Sequence, residues 1–284
     1  MTQRNVNGEQ RRQPGNGRQA VTIAVTLKTL SIKDTRMCLI VFDWQPGAEQ
    51  WLALAANRDE FHARPTASLH RWPGQPTLLA GQDLQQGGTW LGITQDLRFA
   101  AVTNIRLPNP PDNVRSRGEL VTRYLNSTQT PAAFARSLLS EASQYGRFNL
   151  LCGTPEQLWY ITNTPQPTAH AVTPGQHVLS NAWLDSDWPK ARLARTQLQT
   201  WQGDQHQLTR LLNRRVPWPD QCLPDTGVTA ELERLLSAQF ITSARYGTRS
   251  SSSLIGRRQR LAIEEQLWLD NGESGQSRHF QVPD

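Results

Sequence analysis

Lysine is nearly missing from this chain: Lys28, Lys33 and Lys190 are the whole complement among 284 residues. Almost all positive charge is therefore arginine. Cysteine is as scarce. Cys38, Cys152 and Cys222 are too few and too far apart to form a disulfide framework, and a reducing, cytoplasmic setting is the default expectation. No apolar run is long enough to cross a bilayer as a helix. The longest near the start, residues 21–32, is interrupted by Thr22, Thr26, Lys28, Thr29 and Ser31, which also spoils it as a secretory signal. The six histidines form no pair at metal-ligand spacing, so no metal site is expected and no cofactor is required. A Cys-x-x-Cys-His haem attachment site, a phosphate-binding loop and a Gly-x-Ser-x-Gly elbow are all missing.

The formal charge of +6 is unevenly spread. Residues 1–36 hold seven basic and two acidic residues, whereas residues 37–284 are nearly neutral. A nucleic-acid partner needs a basic face on the folded body, and the body shows no such excess. The first residues, rich in Gln, Arg, Asn and Gly, read as a disordered extension over 1–36. Residues 37–284 read as one domain without repeats or linkers.

Within that domain, two apolar runs at 38–42 and 51–56 flank Gln45-Pro46-Gly47, a hairpin signal. A second hairpin is expected from 87–93 and 98–103. Ser116 with Glu119 three residues later suggests a capping box opening a helix over 116–126. A second helix is expected over 131–145, opened by Thr130-Pro131. Strands follow at 149–153, 157–162, 169–172 and 175–180, then helices at 190–202, 204–213 and 229–238. Final strands are expected at 250–255, 262–269 and 278–282. Strand and helix blocks in this order predict an α+β fold with stacked antiparallel sheets covered by helices.

Cys38 leads the chemical candidates. It follows Met37 at the head of the first strand. Translation from Met37 with methionine removal would leave Cys38 N-terminal, with a thiol and an α-amine (pKa about 8) on one residue. The amine then serves as the base for the thiol. A buried structural cysteine is the plainer reading of the same residue. Asn57-Arg58-Asp59-Glu60 ends the second strand. Arg58 would stabilise a thiolate or developing negative charge, and Asp59 would hold the ammonium. Either Asn104 or Asn181, each at a strand end, would donate to an oxyanion. The run at 245–253, read as a small-residue loop entering a strand, offers Arg245 and Arg249 as anion binders. The ten tryptophans would mostly pack the core, with some lining an apolar pocket.

Taken in order, Met37-Cys38, Asn57-Arg58-Asp59-Glu60, Gly87-Gly88-Thr89-Trp90-Leu91-Gly92, Thr103-Asn104, Leu179-Ser180-Asn181-Ala182 with Trp188-Pro189-Lys190, and Tyr246-Gly247-Thr248-Arg249-Ser250-Ser251 resemble the NRDE family. That family is also called transport and Golgi organisation protein 2-like, and the resemblance covers about residues 37–282. It implies a four-layer αββα sandwich like the N-terminal-nucleophile hydrolases, with Cys38, Arg58, Asp59, Asn104, Asn181 and Arg249 in the site positions of the cysteine amidases. In those amidases the arginine and aspartate are separated by two residues. Here they are adjacent, and adjacent side chains on a strand face opposite ways. Family chains begin at Met-Cys, so residues 1–36 depart from the pattern. A start at Met37, a cleaved propeptide or a true extension would each explain them. Two functions follow from the resemblance. One is an amidohydrolase acting on a small or lipid-like N-acyl substrate. The other is a non-catalytic protein that binds and transports haem, acyl-CoA or lipid. A purely structural or partner-binding role is a third reading.

Overall fold

The computed structural model describes residues 37–109 and 114–283, with Met1 and Thr2. The chain divides into two units, Met1–Ile32 and Lys33–Asp284. The expected disordered extension lies outside the described residues apart from Met1 and Thr2.

The second unit is built on two antiparallel sheets. The first orders its strands β10 (Gly175–Leu179), β1 (Met37–Trp44), β2 (Gln50–Phe61), β11 (Tyr246–Arg257), β12 (Arg260–Trp268) and β13 (Ser274–Val282). The second runs β3 (Thr66–Trp72), β4 (Gln75–Asp83), β5 (Leu91–Thr94), β6 (Phe99–Asn104), β7 (Phe148–Gly153), β8 (Leu158–Thr162) and β9 (Thr168–Ala171). Helices α1 (Arg117–Leu125) and α2 (Pro131–Leu139) lie on the second sheet, and α3 (Pro189–Gln199) and α4 (Gln205–Thr209) on the first. Helix α5 (Ala230–Ser237) forms a satellite cluster with Ile241 and Tyr246.

Period-two alternation sorts the side chains into layers. On β1 and β2, Ile40, Phe42, Leu52 and Leu54 meet Leu79, Ile93, Phe99 and Leu151 of the second sheet in the central core. Leu39, Val41, Ala53 and Ala55 face the other way, against Ala191, Ala194 and Leu198 of α3 and Leu208 of α4. The outer face of the second sheet packs Ala100, Leu150 and Ile161 on Leu120, Tyr124 and Phe134. The result is the helix–sheet–sheet–helix order expected from the family resemblance.

The expected strands and helices are all present, though the helix expected over 204–213 spans only Gln205–Thr209 and the strand expected over 87–93 starts at Leu91; four further differences stand out. The β3–β4 hairpin, turning at Pro73-Gly74, was not expected; its alternation is broken by register shifts, which blur the period-two signal. The second helix stops at Leu139 and a separate 3-10 turn occupies Ala142–Gln144. The capping box at Ser116 does not form. Ser116 caps α1 by backbone only, its hydroxyl donates to Gln86, and Glu119 is engaged by Arg115. Finally, Asn57–Glu60 is interior strand rather than a strand end, and β11 begins at Tyr246, so most of the supposed 245–253 loop is strand.

Gly256 lies against the buried Trp51, where a Cβ would come within 2.3 Å of the indole Cε2. Gly256→Ala is expected to cost about 1–3 kcal/mol by overpacking. The check is the urea midpoint at unchanged slope; an unchanged midpoint would contradict this packing.

Candidate active site around Cys38

Pairing of β1 with β2 sets Cys38 opposite Arg58 and Met37 opposite Asp59. By the same alternation that layers the core, Cys38, Arg58 and Glu60 share the inter-sheet face with Ile40 and Leu54. Asn57 and Asp59 share the helix-covered face with Ala53 and Ala55. The four polar residues are all buried, and they serve two different environments.

On the inner side, Cys38, Arg58, Glu60, Trp90, Thr103 and Asn104 line a cleft of about 70 Å³, and Asp59 is part of the same lining. Its far wall is built by Ser116, Arg117 and Gly118 at the start of α1 and by the turn after β4. Gly88 and Gly118 make that wall possible. A Cβ on Gly88 would sit 2.5 Å from the Gly118 carbonyl carbon, and the Thr89 amide donates to the Gly118 carbonyl. The Arg58 guanidinium stacks on Trp90, 4.3 Å from the ring centroid, with its Nη2 3.7 Å from Glu60. Its Nη1 is buried with no hydrogen-bond partner among the described residues. Glu60 also receives the Phe61 amide at 2.9 Å and lies 3.5 Å from Arg64 Nε.

On the outer side, Asp59 accepts the Thr248 hydroxyl at 2.6 Å. Lys190, at the start of α3, is buried and donates to the Leu236 carbonyl at 3.0 Å. Burial pushes the Asp59 carboxyl up and the Lys190 ammonium down, and their opposite charges partly hold both ionised. Asn57 is saturated: its amide donates to the Leu212 and Gln239 carbonyls, and its oxygen accepts from Ser251. That is a brace, not a reactive group.

The two asparagines are not equivalent. Asn104 lines the cleft, whereas Asn181 is fully buried and absent from the cleft wall. The Asn181 amide donates to the Asn104 backbone and side-chain oxygens, both at 3.0 Å, and so holds Asn104 in place. Arg249 is likewise absent from the cleft wall. A register shift between Thr248 and Ser250 makes it the extra residue of a bulge, which re-aims a side chain. Its Nη1 donates to the Phe61 and His62 carbonyls at 3.0 and 2.8 Å. It lines a second, larger groove, while Arg245 is exposed to solvent. Arg58 and Trp90 border both spaces.

In the chain as written, the nitrogen of Cys38 is part of the Met37–Cys38 peptide bond. The thiol is pushed up to about 12, first by burial and next by the Asp59 carboxylate, with Arg58 pulling it back. As it stands it is not a thiolate at neutral pH. Glu60, Trp90, Thr248 and Lys190 had no role assigned from sequence. Lys190 carried a signal, being the lone lysine of residues 37–284.

Two measurements bear on this electrostatic picture. Iodoacetamide at neutral pH should label exposed Cys222 well before Cys38 in the full chain, as read by peptide mass mapping; equal rates would refute a raised Cys38 thiol. The folded Asp59 carboxyl titrates above its unfolded value, so its stabilising contribution is present in acid and lost as pH rises through the raised value. Removing the Lys190 charge raises it further. Lys190→Met should therefore lose more stability near about pH 8 than near about pH 5, by on the order of 1 kcal/mol in urea unfolding. A loss independent of pH would show that the two charges do not interact.

Comparison with known proteins adds identity to this geometry. The family described as Transport and Golgi organisation 2 matches residues 37–268. The mouse Transport and Golgi organization 2 homolog is 30% identical over 264 residues, covering 84% of this chain and 95% of that one. The human homolog is 35% identical over 166 residues, 54% of this chain and 60% of its own. Among solved structures, the Caenorhabditis elegans ortholog of N-acylethanolamine-hydrolyzing acid amidase aligns over 76% of this chain and 92% of its own, at 10% identity and a TM-score of 0.41. On the family match and the near full-length mouse relative, this chain belongs to the Transport and Golgi organisation 2 family.

Proposed function

We propose that the Cys38 cleft is the site of a cysteine amidohydrolase that becomes competent when Cys38 is the N-terminal residue. One observation carries this reading. Met37 is in register with Asp59, so an α-amine freed at Cys38 would emerge beside a buried carboxylate that would hold it. Cys38 and Asn104 meanwhile border one cleft with Arg58. The α-amine takes the thiol proton and Sγ attacks the carbonyl carbon of an N-acyl substrate. Asn104, held by Asn181, donates to the oxyanion. The ammonium then returns its proton to the departing amine nitrogen as the C–N bond breaks. Water hydrolyses the thioester, giving a carboxylic acid and restoring the thiol. With the amine tied up in the Met37–Cys38 bond, the base is absent and the thiol stays protonated.

The test compares the full chain with a chain whose first residue is Cys38, each incubated with a panel of N-acyl amides and followed by intact mass. A thioester adduct and amine release are expected from the shortened chain alone, and loss of both in Cys38→Ala. Absence of adduct and product across the panel from a folded, Cys38-initiated chain would reject the hydrolase.

A second reading is favoured by a different observation. The larger groove, about 760 Å³, is lined without Cys38, so it would bind a ligand whatever the state of the thiol. A carrier of haem, acyl-CoA or lipid would use it. Titration of haem and acyl-CoA separates the readings, because a carrier's affinity should be the same in wild type and Cys38→Ala. Among the described residues no helix is long and apolar enough to cross a membrane.

A further inference from the structure

The larger groove lies between the sheets beyond the Arg58–Trp90 pair. Its wall brings together Arg58, Arg249, Ser68, Ser250, Glu265 and Leu267. Three features distinguish it from an ordinary surface furrow. Arg58 is buried, yet its Nη1 makes no hydrogen bond among the described residues. A buried donor left unpaired is unfavourable, and a ligand oxygen would relieve it. The bulge at Arg249 turns a second guanidinium toward the same space, anchored through Nη1 to two carbonyls. The walls also supply apolar surface, from the Trp90 indole under Arg58 and from Leu267.

The acidic groups nearby set the charge the groove will accept. Glu60 faces Arg58 and Arg64. Glu265 accepts the Leu69 amide at 2.6 Å, and burial pushes its carboxyl up. Asp270 stands at the rim, 3.1 Å from His62 Nδ1. Glu60 is shared with Arg64, and Asp270 stands against His62, so these acids compete only in part with an anionic head group for the two guanidiniums. The planar guanidinium fork also matches the two oxygens of a carboxylate.

We propose that this groove binds amphipathic molecules by a carboxylate group received between Arg58 and Arg249, with the apolar part lying along Trp90 and Leu267. Binding here needs neither a free N-terminus nor a reactive thiol, so the inference stands apart from the hydrolase reading.

The experiment is calorimetric titration of the full chain carrying Cys38→Ala, which removes turnover. The probes are N-dodecanoylglycine, N-dodecanoylethanolamine and dodecyl phosphate. The acid should bind at least about tenfold more tightly than the neutral ethanolamide of matched chain. Arg249→Gln should erase that preference while leaving the affinity for the ethanolamide within about twofold. Should Arg249→Gln fail to fold, Ser68→Asp adds a carboxylate to the same wall and should erase the preference by repulsion. Equal affinity for acid and ethanolamide overturns the proposal. So does a preference that survives in whichever variant folds, tighter binding of dodecyl phosphate than of the acid, or no measurable binding of the acid.

Discussion

The antiparallel register of β1 on β2 is the constraint on which the site depends. It fixes Cys38 against Arg58 and leaves no freedom over the neighbours, because each step along a strand changes the side of the sheet. Arg58 and Glu60 thus belong to the space between the sheets, and Asn57 and Asp59 to the space under the helices. The adjacency of Arg58 and Asp59, which argued from sequence against their both reaching the cysteine, is resolved by this division. One approaches Cys38 from its side-chain face. The other is in register with Met37, and its carboxylate turns to Thr248.

Burying this much polarity has to be offset. The structure does so with dense partnering rather than with water-facing loops. Asn57 is tied to carbonyls of two different segments, Asp59 to Thr248, Lys190 to Leu236 and Asn181 to Asn104. An unpaired polar group at such depth would weigh heavily against marginal stability. Among the described residues, Arg58 Nη1 and Ser250 Oγ depart from the pattern, and both residues border the larger groove.

Much of the architecture was legible in the sequence because local signals agreed with tertiary demands. Pro46-Gly47 turned the first hairpin, Thr130-Pro131 opened α2, with the Thr130 hydroxyl as its cap, and the strand blocks lay where apolar runs stood. What was not legible has identifiable causes. Asn57–Glu60 reads as a loop by composition, and only a second sheet and a helix layer, both distant in sequence, make it a buried strand. The Ser116 capping signal is local, but Gln86 and Arg115 compete for its two side chains. Of the site, Cys38, Arg58, Asp59 and Asn104 could be named from motif and position. The division of labour between Asn104 and Asn181 could not, because it arises from a contact between residues 77 positions apart. Arg249 over Arg245 is decided by a bulge that no composition signals.

That bulge also leaves the strand that follows it in phase. Upstream of it, Thr248 shares a face with Asp59; downstream, Ser250 and Leu254 look inward while Ser251 and Ile255 look toward the helices. Deleting the extra residue would make Thr248 and Ser250 adjacent while keeping their pairing with Asp59 and Arg58, so the sides along the rest of β11 would stay as they are. Leu254 would keep its place in the central core and Ser251 its bond to Asn57. The single inserted residue therefore re-aims one arginine without disturbing the inside-out sense of the strand that follows it.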